Sequence, residues 1–419
     1  MIVLKKLFLL FSIFAFFNLH AYAAGDEAYE KLKLMIDVME IIDKNYVSET
    51  NPKNLTVGAI KGVVDSLDPF SQYMEEKAFK DMKNETEGAY SGVGLRIMLK
   101  NNFITVVSPL HGTPAYRAGI LPNDRIIKID DKSTNKMSTD EAVELMRGKT
   151  GKKIKLTISR SNTADELEFN LIREKIKIET LRTVMLDDGI GYIRLSEFNA
   201  QSDEDMKKTL QDFKDQGMKS FILDLRNNPG GLLDSAINII SLFIEDTKLV
   251  LTTKGRKEET KREYYTNGKA DFADIPFVVL INRGSASASE IISGALQDFR
   301  RSLIIGSNTF GKGSVQTVIP LPDGTALRLT IAKYYLPSGR TINHSNEKNA
   351  KNGITPDIDI PITIEEEIKL YAQSDMLFSK NKNEKKNIIE DKALNKALEI
   401  IKENKIKEAI EFSKALKKK

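Results

Sequence analysis

The chain reads Asn282-Arg283-Gly284-Ser285-Ala286-Ser287-Ala288-Ser289-Glu290 between an apolar run, Phe277 to Ile281, and a helix-like segment, Ile291 to Phe299. This order predicts a buried strand, a tight turn of small residues and a helix, with hydroxyl groups at the turn. The amides at the start of such a helix stabilise negative charge that develops beside them. The corner is therefore a candidate site for nucleophilic chemistry.

The sequence around this corner, residues 176–365, alternates between apolar runs typical of strands and amphipathic segments typical of helices. Strands are predicted at Ile190 to Leu195, Ser220 to Leu225, Phe277 to Ile281 and Leu303 to Ile305, and helices at Gln201 to Gln216, Leu232 to Ile244 and 286–299. Such alternation predicts parallel strands with helices packed on the faces of the sheet, and hence an α/β core.

Regions of different character flank this core. Residues 24–86 carry apolar residues at helical spacing and are predicted to form a helical N-terminal region. Residues 87–175 contain short β-like runs, turn signals and one helix, Thr139 to Met146, which predicts a compact β-rich domain. Residues 366–419 form a lysine-rich, helical C-terminal tail. A solvated face is the expectation for this tail, and self-association is the alternative.

The first 23 residues have the three parts of a secretory signal peptide. Lys5 and Lys6 form a positively charged start, Leu7 to Phe17 form an apolar run, and Ala21-Tyr22-Ala23 is a small-residue cleavage pattern. The apolar run is shorter than the ~20 residues that a membrane-spanning helix requires. Cleavage after Ala23 is therefore predicted, with an uncleaved anchor as the alternative.

Composition removes several kinds of chemistry. The 419 residues include no cysteine, which excludes disulfides and thiolate nucleophiles. The only histidines are His20, His111 and His344, which weakens both a Ser–His mechanism and a multi-histidine metal site. The net charge of +4 is too balanced to indicate binding to nucleic acid. A serine nucleophile would therefore need a base other than histidine.

The corner offers three hydroxyl groups at alternate positions, on Ser285, Ser287 and Ser289. Ser287 and Glu290 also fit the S-x-x-E capping box that begins many helices, so a purely structural role is an alternative. As a nucleophile, any serine needs a base that takes its proton. The pattern of residues alone does not choose among the three serines.

Lys312 is the available base. Its neighbours Gly311 and Gly313 allow close approach of another backbone segment, and an apolar strand follows. Burial disfavours the ammonium form of lysine, which then accepts a proton near neutral pH. The run Gly306 to Lys312 also has the spacing of a phosphate-binding loop. Because Gly313 stands where that motif needs Ser or Thr, nucleotide binding is rejected.

A nearby loop could supply further donors to a developing oxyanion. The sequence Pro229-Gly230-Gly231 joins a predicted strand to a predicted helix, as the serine corner does. Ala288, directly after Ser287, offers a second amide. Both loops follow the carboxyl ends of parallel strands, where the sites of α/β proteins form. A plain strand-to-helix turn is the alternative for this glycine loop.

Several motifs of this chain occur in the same order in one known family. They are Leu67-Asp68-Pro69, Asp224-Leu225-Arg226, Pro229-Gly230-Gly231, Gly284 to Glu290, Gly311-Lys312-Gly313, Gln316 and Gly353 to Asp357. Residues 30–365 thereby resemble the carboxyl-terminal processing peptidases, also called tail-specific proteases. The resemblance implies that Ser287 is the nucleophile, Lys312 is the general base and Gln316 orients the lysine. The oxyanion hole that it implies consists of the amide of Ala288 and that of Gly230 or Gly231. It implies no metal and no cofactor.

The β-rich domain, residues 87–175, resembles a PDZ domain. The residues Val93, Gly94 and Leu95 are similar to the loop whose amides hold a peptide's terminal carboxylate while the peptide adds a strand to the sheet. A glycine turn before a strand is the alternative. Arg125 matches a region that faces the active site in relatives, and we expect it to couple peptide binding to activity.

The resemblance implies a crotonase-like α/β core, residues 176–365, with an inserted PDZ domain and helical N- and C-terminal regions. We expect an exported serine endopeptidase of the bacterial periplasm, either free or associated with the inner membrane. It would bind apolar C-termini of protein or peptide substrates and cleave through an acyl-enzyme. Self-association through the terminal helical regions and an adaptor or activator protein are further expectations. The alternatives are a catalytically silent PDZ scaffold and a crotonase-fold enzyme that acts on acyl thioesters.

Overall fold

The computed structural model of the protein describes residues 29–100, 102–110, 112–160, 165–342, 353–373, 377–378 and 389–417. The predicted signal peptide, residues 1–23, lies outside the described residues, as do His20, His111 and His344.

The helices of the described residues are α1 (29–45), α2 (Pro52–Asp65), α3 (Glu76–Glu87), α4 (Pro114–Arg117), α5 (Thr139–Met146), α6 (Ser202–Asp215), α7 (Leu233–Ser241), α8 (Ala288–Asp298), α9 (Ile364–Gln373), α10 (Lys392–Lys402) and α11 (Ile406–Lys417). The strands are β1 (Gln72–Met74), β2 (Ala89–Gly92), β3 (Leu95–Lys100), β4 (Phe103–Pro109), β5 (Arg125–Ile129), β6 (Lys132–Ser133), β7 (Lys153–Ser159), β8 (Leu167–Ile172), β9 (Glu174–Lys177), β10 (Leu181–Leu186), β11 (Ile190–Leu195), β12 (Ser220–Asp224), β13 (Leu249–Gly255), β14 (Arg262–Tyr265), β15 (Phe277–Ile281), β16 (Leu303–Gly306), β17 (Ser314–Pro320), β18 (Ala326–Tyr335) and β19 (Ile358–Asp359). In the part of the chain that is described, no helix has the length and apolar character needed to cross a membrane.

The central sheet has the strand order β10-β11-β12-β15-β16-β19. Strand β10 runs antiparallel to β11, and every later pair in this sheet is parallel. Helix α6 connects β11 to β12, and α8 connects β15 to β16, so the predicted α/β core is confirmed. Because β12 and β15 are adjacent and parallel, the loops after Asp224 and Ile281 leave the same edge of the sheet.

Alternate residues of the central strands pack into two different cores. In β15, Phe277, Val279 and Ile281 join the helices α6, α7 and α8 on one face, whereas Val278 and Leu280 join the core of the other face. This is the alternation that a strand buried on both sides requires. Helix α8 begins after the carboxyl end of β15 and is buried on the first face of the sheet.

The C-terminal helices α10 and α11 cover the second face of the sheet. Ala393, Ala397, Ile400 and Ile406 are buried in the same core as strand residues such as Val278. The expected solvated tail is therefore wrong for residues 392–417. The apolar residues of α10 recur at positions i, i+4 and i+7, a buried stripe that the lysine-rich composition conceals.

The β-rich domain is a separate antiparallel sheet with the strand order β3-β4-β5-β7-β8. Its core consists of buried aliphatic side chains such as Ile104, Ile126 and Leu156, packed with α5. Helix α5 begins at a capping box in which the side chains of Ser138 and Glu141 each accept the other's backbone N–H. A two-stranded ladder of β2 and β9 lies where the chain enters and leaves this domain.

Residues 29–75 and 317–330 form a second compact unit. Helix α2 begins with Pro52 after Asn51, whose side chain accepts N–H groups of the first turn. In this unit Asp68 accepts hydrogen bonds from Ser71 and Thr330. Burial raises the pKa of Asp68, but hydrogen bonds with Ser71, the Phe70 backbone and Thr330 outweigh it and hold the pKa below its usual value.

Candidate active site

Ser287 occupies the N-cap position of α8, at the tip of the loop that follows β15. Its backbone has φ +54° and ψ −113°, which is a strained conformation for a residue with a side chain. The turn between strand and helix is short, so the chain must reverse sharply at this residue. The strained backbone at the tip is the feature that sets Ser287 apart from its neighbours.

The other two serines of the corner are held inside the protein. Ser285 Oγ donates to the carbonyl oxygen of Leu225 at 2.8 Å, and Ser289 Oγ donates to that of Asn228 at 3.0 Å. Both side chains are fully buried. Their hydroxyls therefore fasten the corner to the loop after β12, and only Ser287 combines a hydroxyl with the strained tip position.

Glu290 links the serine corner to the loop that carries Lys312, residues 307–313, which is called the lysine loop below. Its Oε2 accepts the backbone N–H groups of Ser287 at 2.9 Å and of Lys312 at 2.8 Å. Its Oε1 accepts the N–H of Gly311 at 2.7 Å and the hydroxyl of Thr309 at 2.5 Å. Burial raises the pKa of Glu290 above its usual value, although these hydrogen bonds oppose the shift. The glutamate thus does more than begin a helix, because it holds two loops in register.

Lys312 Nζ donates to Gln316 Oε1 at 3.3 Å. Of the two glycines beside Lys312, Gly311 has a positive φ, +91°, and Gly313 does not. Strand β17 begins directly after Gly313, whose carbonyl oxygen accepts the N–H of Tyr334 in β18. The long lysine side chain therefore runs along the start of β17 to reach Gln316.

Tyr334 is a member of this cluster that the sequence did not reveal. Its side chain is buried and lies beside the side chain of Ser287. Burial raises the pKa of Tyr334 to about 12, and the neighbouring Ser287 side chain opposes this shift. The phenol therefore stays neutral at physiological pH. No motif spacing marks this residue; only the packing of β18 beside Gly313 brings it to the serine.

Gly230 lies directly against Ser287. A Cβ at position 230 would lie 2.7 Å from Ser287 Cβ and 3.0 Å from the backbone nitrogen of Ala288. The N–H of Gly230 donates to Asn228 Oδ1 at 2.9 Å. Gly231 packs against the backbone of Phe198 instead. Glycine at 230 therefore keeps the space beside the Ala288 amide open, although its own N–H is engaged.

A buried ion-pair network lies behind the glycine loop. Arg226 Nη2 pairs with Asp224 at 2.6 Å, Arg226 Nη1 pairs with Asp391 at 2.8 Å, and Tyr192 Oη donates to Asp224 at 2.5 Å. Burial alone raises the pKa of Asp224, but the Arg226 guanidinium outweighs it and holds the pKa below its usual value. Since Asp391 is the N-cap of α10, this network joins the loop to the C-terminal helices.

The predicted carboxylate loop of the β-rich domain has a defined backbone. Gly94 has φ +79°, and a Cβ there would lie 2.3 Å from the Cβ of Thr113. The carbonyl oxygens of Val93 and Gly94 accept the N–H groups of Ala115 and Leu110. Leu95 begins β3. These bonds use the carbonyl groups of the loop and fix its path.

Arg125 begins β5 within the same domain. Its guanidinium lies over the ring of Phe103, 4.9 Å from the ring centroid. A cation–π contact of this kind stabilises the local packing of two neighbouring strands. The coupling of Arg125 to the serine site therefore stays a prediction.

Comparison with known families defines the class of protein. A family model described as "Peptidase family S41" matches residues 189–360, which include the serine corner and the lysine loop. Models described as "PDZ domain" and "Activating protease CtpB N-terminal domain" match residues 105–160 and 18–78. The protein is thus a serine-type peptidase that carries a PDZ domain.

Curated relatives narrow the class to one family. The "Carboxy-terminal-processing protease" of Bartonella bacilliformis is 41% identical over 82% of this chain and 78% of the relative. "Carboxy-terminal processing protease CtpA" of Bacillus subtilis is 36% identical over 80% and 70%. The "Carboxyl-terminal-processing protease" of a Synechocystis strain is 36% identical over 78% and 80%. The chain belongs to the carboxy-terminal processing protease family.

Proposed function

We propose that the protein cleaves peptide bonds with Ser287 as nucleophile and Lys312 as general base. The observation that carries this proposal is the shared carboxylate oxygen of Glu290, which binds the backbone N–H of both residues. Gln316 accepts a hydrogen bond from Lys312 Nζ and thereby orients it. A Ser–Lys pair is an established variant of the logic in which a positioned base activates a hydroxyl.

The reaction would proceed through an acyl-enzyme. Ser287 Oγ attacks the scissile carbonyl carbon while its proton passes to the neutral amine of Lys312. The resulting ammonium returns that proton to the leaving amine, and the acyl group stays on Ser287. Water then attacks the ester and gives a proton to Lys312. As the bond from the acyl carbon to Ser287 Oγ breaks, Lys312 returns that proton to Oγ, and the carboxylic acid is released. No metal or cofactor enters these steps.

The oxyanion would be bound by the amide of Ala288 and by the glycine loop. Gly230 leaves room beside Ala288, which supports a role for this loop in binding the oxyanion. Because the Gly230 N–H donates to Asn228, either Gly231 supplies the second donor or Gly230 exchanges its partner when substrate binds. Two such donors at a water-excluded site are the usual means of stabilising this charge.

Substrates would be selected by their C-termini. PDZ domains bind the terminal carboxylate of a peptide and pair with its backbone, and the family match supports that role here. We propose that Val93, Gly94 and Leu95 provide the amides for the carboxylate. Apolar terminal residues of the substrate would bind beside this loop. Arg125 would couple the binding of the peptide to activity at the peptidase site.

The leader pattern of residues 1–23 supports export, and the periplasm is the proposed location, either free or at the inner membrane. Self-association is proposed through the N-terminal helical region, where apolar side chains of α1 such as Leu32, Ile36 and Ile41 are exposed. An adaptor or activator protein that binds this region would cover the same exposed apolar side chains.

The test is digestion of an unstructured protein with an apolar C-terminus by the wild type and by single variants. Ser287→Ala and Lys312→Ala should be inactive, whereas Ser285→Ala is the matched control that removes a neighbouring hydroxyl with a structural partner. Circular dichroism checks that each variant folds. Cleavage retained by Ser287→Ala or Lys312→Ala would contradict the proposed dyad, and loss of peptide cleavage in every form with peptide binding intact would favour the scaffold.

A further inference from the structure

One side-chain amide joins the two loops that flank the proposed nucleophile. Asn282 Oδ1 accepts the N–H of Asn227 at 2.8 Å and the N–H of Gly284 at 3.0 Å. Asn282 Nδ2 donates to Asn227 Oδ1 at 2.9 Å. The side chain is almost fully buried. Asn282 therefore ties the start of the glycine loop, residues 227–231, to the start of the serine corner.

Glu367 decides which way this amide points. Asn282 Nδ2 also donates to Glu367 Oε1 at 2.5 Å. An ionised carboxylate accepts hydrogen bonds and donates none, so only the nitrogen side of the amide can face it. With Nδ2 turned toward Glu367, Oδ1 is turned toward the two backbone N–H groups. A flipped amide would place hydrogens against those donors and break both bonds.

Glu367 is itself held in a fixed geometry. It lies in α9, and its side chain is only 14% exposed. Its Oε2 pairs with Arg283 Nε at 2.9 Å, while Arg283 Nη2 donates to the carbonyl oxygen of Ile362 at 3.1 Å. The arginine is half exposed and lies on the surface of the same corner. Helix α9 follows the residues that the peptidase family model matches, which end at 360.

Other bonds keep the two loops together nearer to Ser287. The N–H of Ala286 and the hydroxyl of Ser289 both donate to the carbonyl oxygen of Asn228 at 3.0 Å. Loss of the Asn282 orientation would therefore shift the loops against each other without separating them. Displacements of about 1 Å in a catalytic constellation cost on the order of 10²-fold in rate.

We infer that Glu367 is a positioning residue for peptide cleavage, acting through Asn282 to set the spacing between the glycine loop and the serine corner. This inference rests on the proposed roles of Ser287 and of the glycine loop. It gives the C-terminal region, through α9, a part in the chemistry of a site whose reacting groups all lie elsewhere in the chain.

The first test replaces Glu367 by alanine in the full chain. We expect kcat to fall at least about tenfold with little change in KM, because substrate contacts remain while the alignment of the loops is lost. The rate at which a fluorophosphonate probe labels Ser287 should fall in parallel. The matched control is Glu365→Ala, which removes an exposed carboxylate from the same helix, and it should keep kcat within about twofold.

A rescue pair separates positioning from plain stability. Asn282→Asp places a second carboxylate against Glu367 and should lose at least as much kcat as Glu367→Ala. Adding Glu367→Gln to Asn282→Asp restores one donor and one acceptor across the contact and should recover several-fold of that loss. Urea midpoints are measured for all variants, and kcat is taken where each is fully folded.

The outcomes separate this inference from the proposed function. If Ser287→Ala is inactive but Glu367→Ala keeps wild-type kcat and labelling rate, the inference is overturned and the dyad stands. A lowered urea midpoint with unchanged kcat would equally overturn it, because a merely structural role predicts that result. If Ser287→Ala still cleaves, the proposed function has failed on its own.

Discussion

The backbone N–H groups of Ser287 and Lys312 donate to the same oxygen atom, Oε2 of Glu290, at 2.9 and 2.8 Å. The two residues come from different loops, one after β15 and one after β16. A single buried carboxylate therefore fixes the distance between the two loops at their backbones.

Glu290→Gln tests this anchor. The amide nitrogen of glutamine would face backbone N–H groups that now donate to an oxygen, and each buried donor left unsatisfied costs about 1–3 kcal/mol. We expect the free energy of unfolding to fall by at least about 2 kcal/mol and kcat by about 100-fold. Urea unfolding and peptide cleavage measure the two effects.

The matched control for this variant is Glu141→Gln in α5. Glu141 forms the same capping box with Ser138, but at the exposed surface, where water replaces lost hydrogen bonds. Full activity and a smaller loss of stability are expected there. Equal effects of the two substitutions would show that Glu290 acts as a helix cap alone.

Gln316→Glu tests the orientation of the lysine through pH dependence. A carboxylate beside Lys312 Nζ favours the ammonium form, which cannot accept the serine proton. The acid limb of the kcat/KM profile should therefore move to higher pH by about one unit. Gln316→Ala removes the contact without adding charge and should lower kcat with a smaller displacement of the limb. An unshifted limb in Gln316→Glu would contradict the proposed role of Lys312.

Tyr334→Phe tests the phenol at the serine. Tyr334 lies beside the Ser287 side chain, and one hydrogen bond between the two hydroxyls would contribute about 0.5–1.5 kcal/mol net. We expect labelling of Ser287 by a fluorophosphonate probe to slow by up to about tenfold, with binding of C-terminal peptides unchanged. Tyr335→Phe, on the adjacent residue of β18, is the control and should label at the wild-type rate. Identical rates for all three proteins would remove Tyr334 from the site.

Gly94→Ala tests the proposed carboxylate loop of the PDZ domain. A methyl group at 94 would collide with Thr113 and would also force a side chain into a positive φ. Gly119→Ala is the control because φ is +82° and nothing lies within 4 Å of the added Cβ. Fluorescence anisotropy with a labelled apolar peptide should show binding at least about tenfold weaker in Gly94→Ala. Amidation of the peptide's C-terminus should weaken binding to the wild type in the same way.

Long apolar runs made the central sheet predictable. Phe277 to Ile281 is apolar at every position, as a strand buried on both faces must be, and flanking helical periodicity fixed the α/β order. The strand–turn–helix corner was equally predictable, because a run of small residues between a strand and a helix favours a tight turn. Local sequence therefore predicted where the site lies.

The local pattern of residues, without the family resemblance, did not predict which groups meet there. Three serines look alike along the chain, and they differ only once the carbonyl oxygens of Leu225 and Asn228 engage Ser285 and Ser289. Tyr334 reaches the serine through the pairing of distant segments, which no local spacing encodes. The buried stripe of α10, Ala393, Ala397 and Ile400, lies among lysines, and the lysine-rich composition of this segment predicted a solvated tail.

The paired strands β2 and β9 place Ala89 opposite Lys177, so the chain enters and leaves the PDZ domain at adjacent positions. Cross-strand neighbours in such a ladder are about 5 Å apart, a gap that a turn of a few residues closes. The whole recognition domain is therefore a cassette. A single genetic event could excise this domain or exchange it for one with a different binding preference. The chain on either side of the domain would stay continuous.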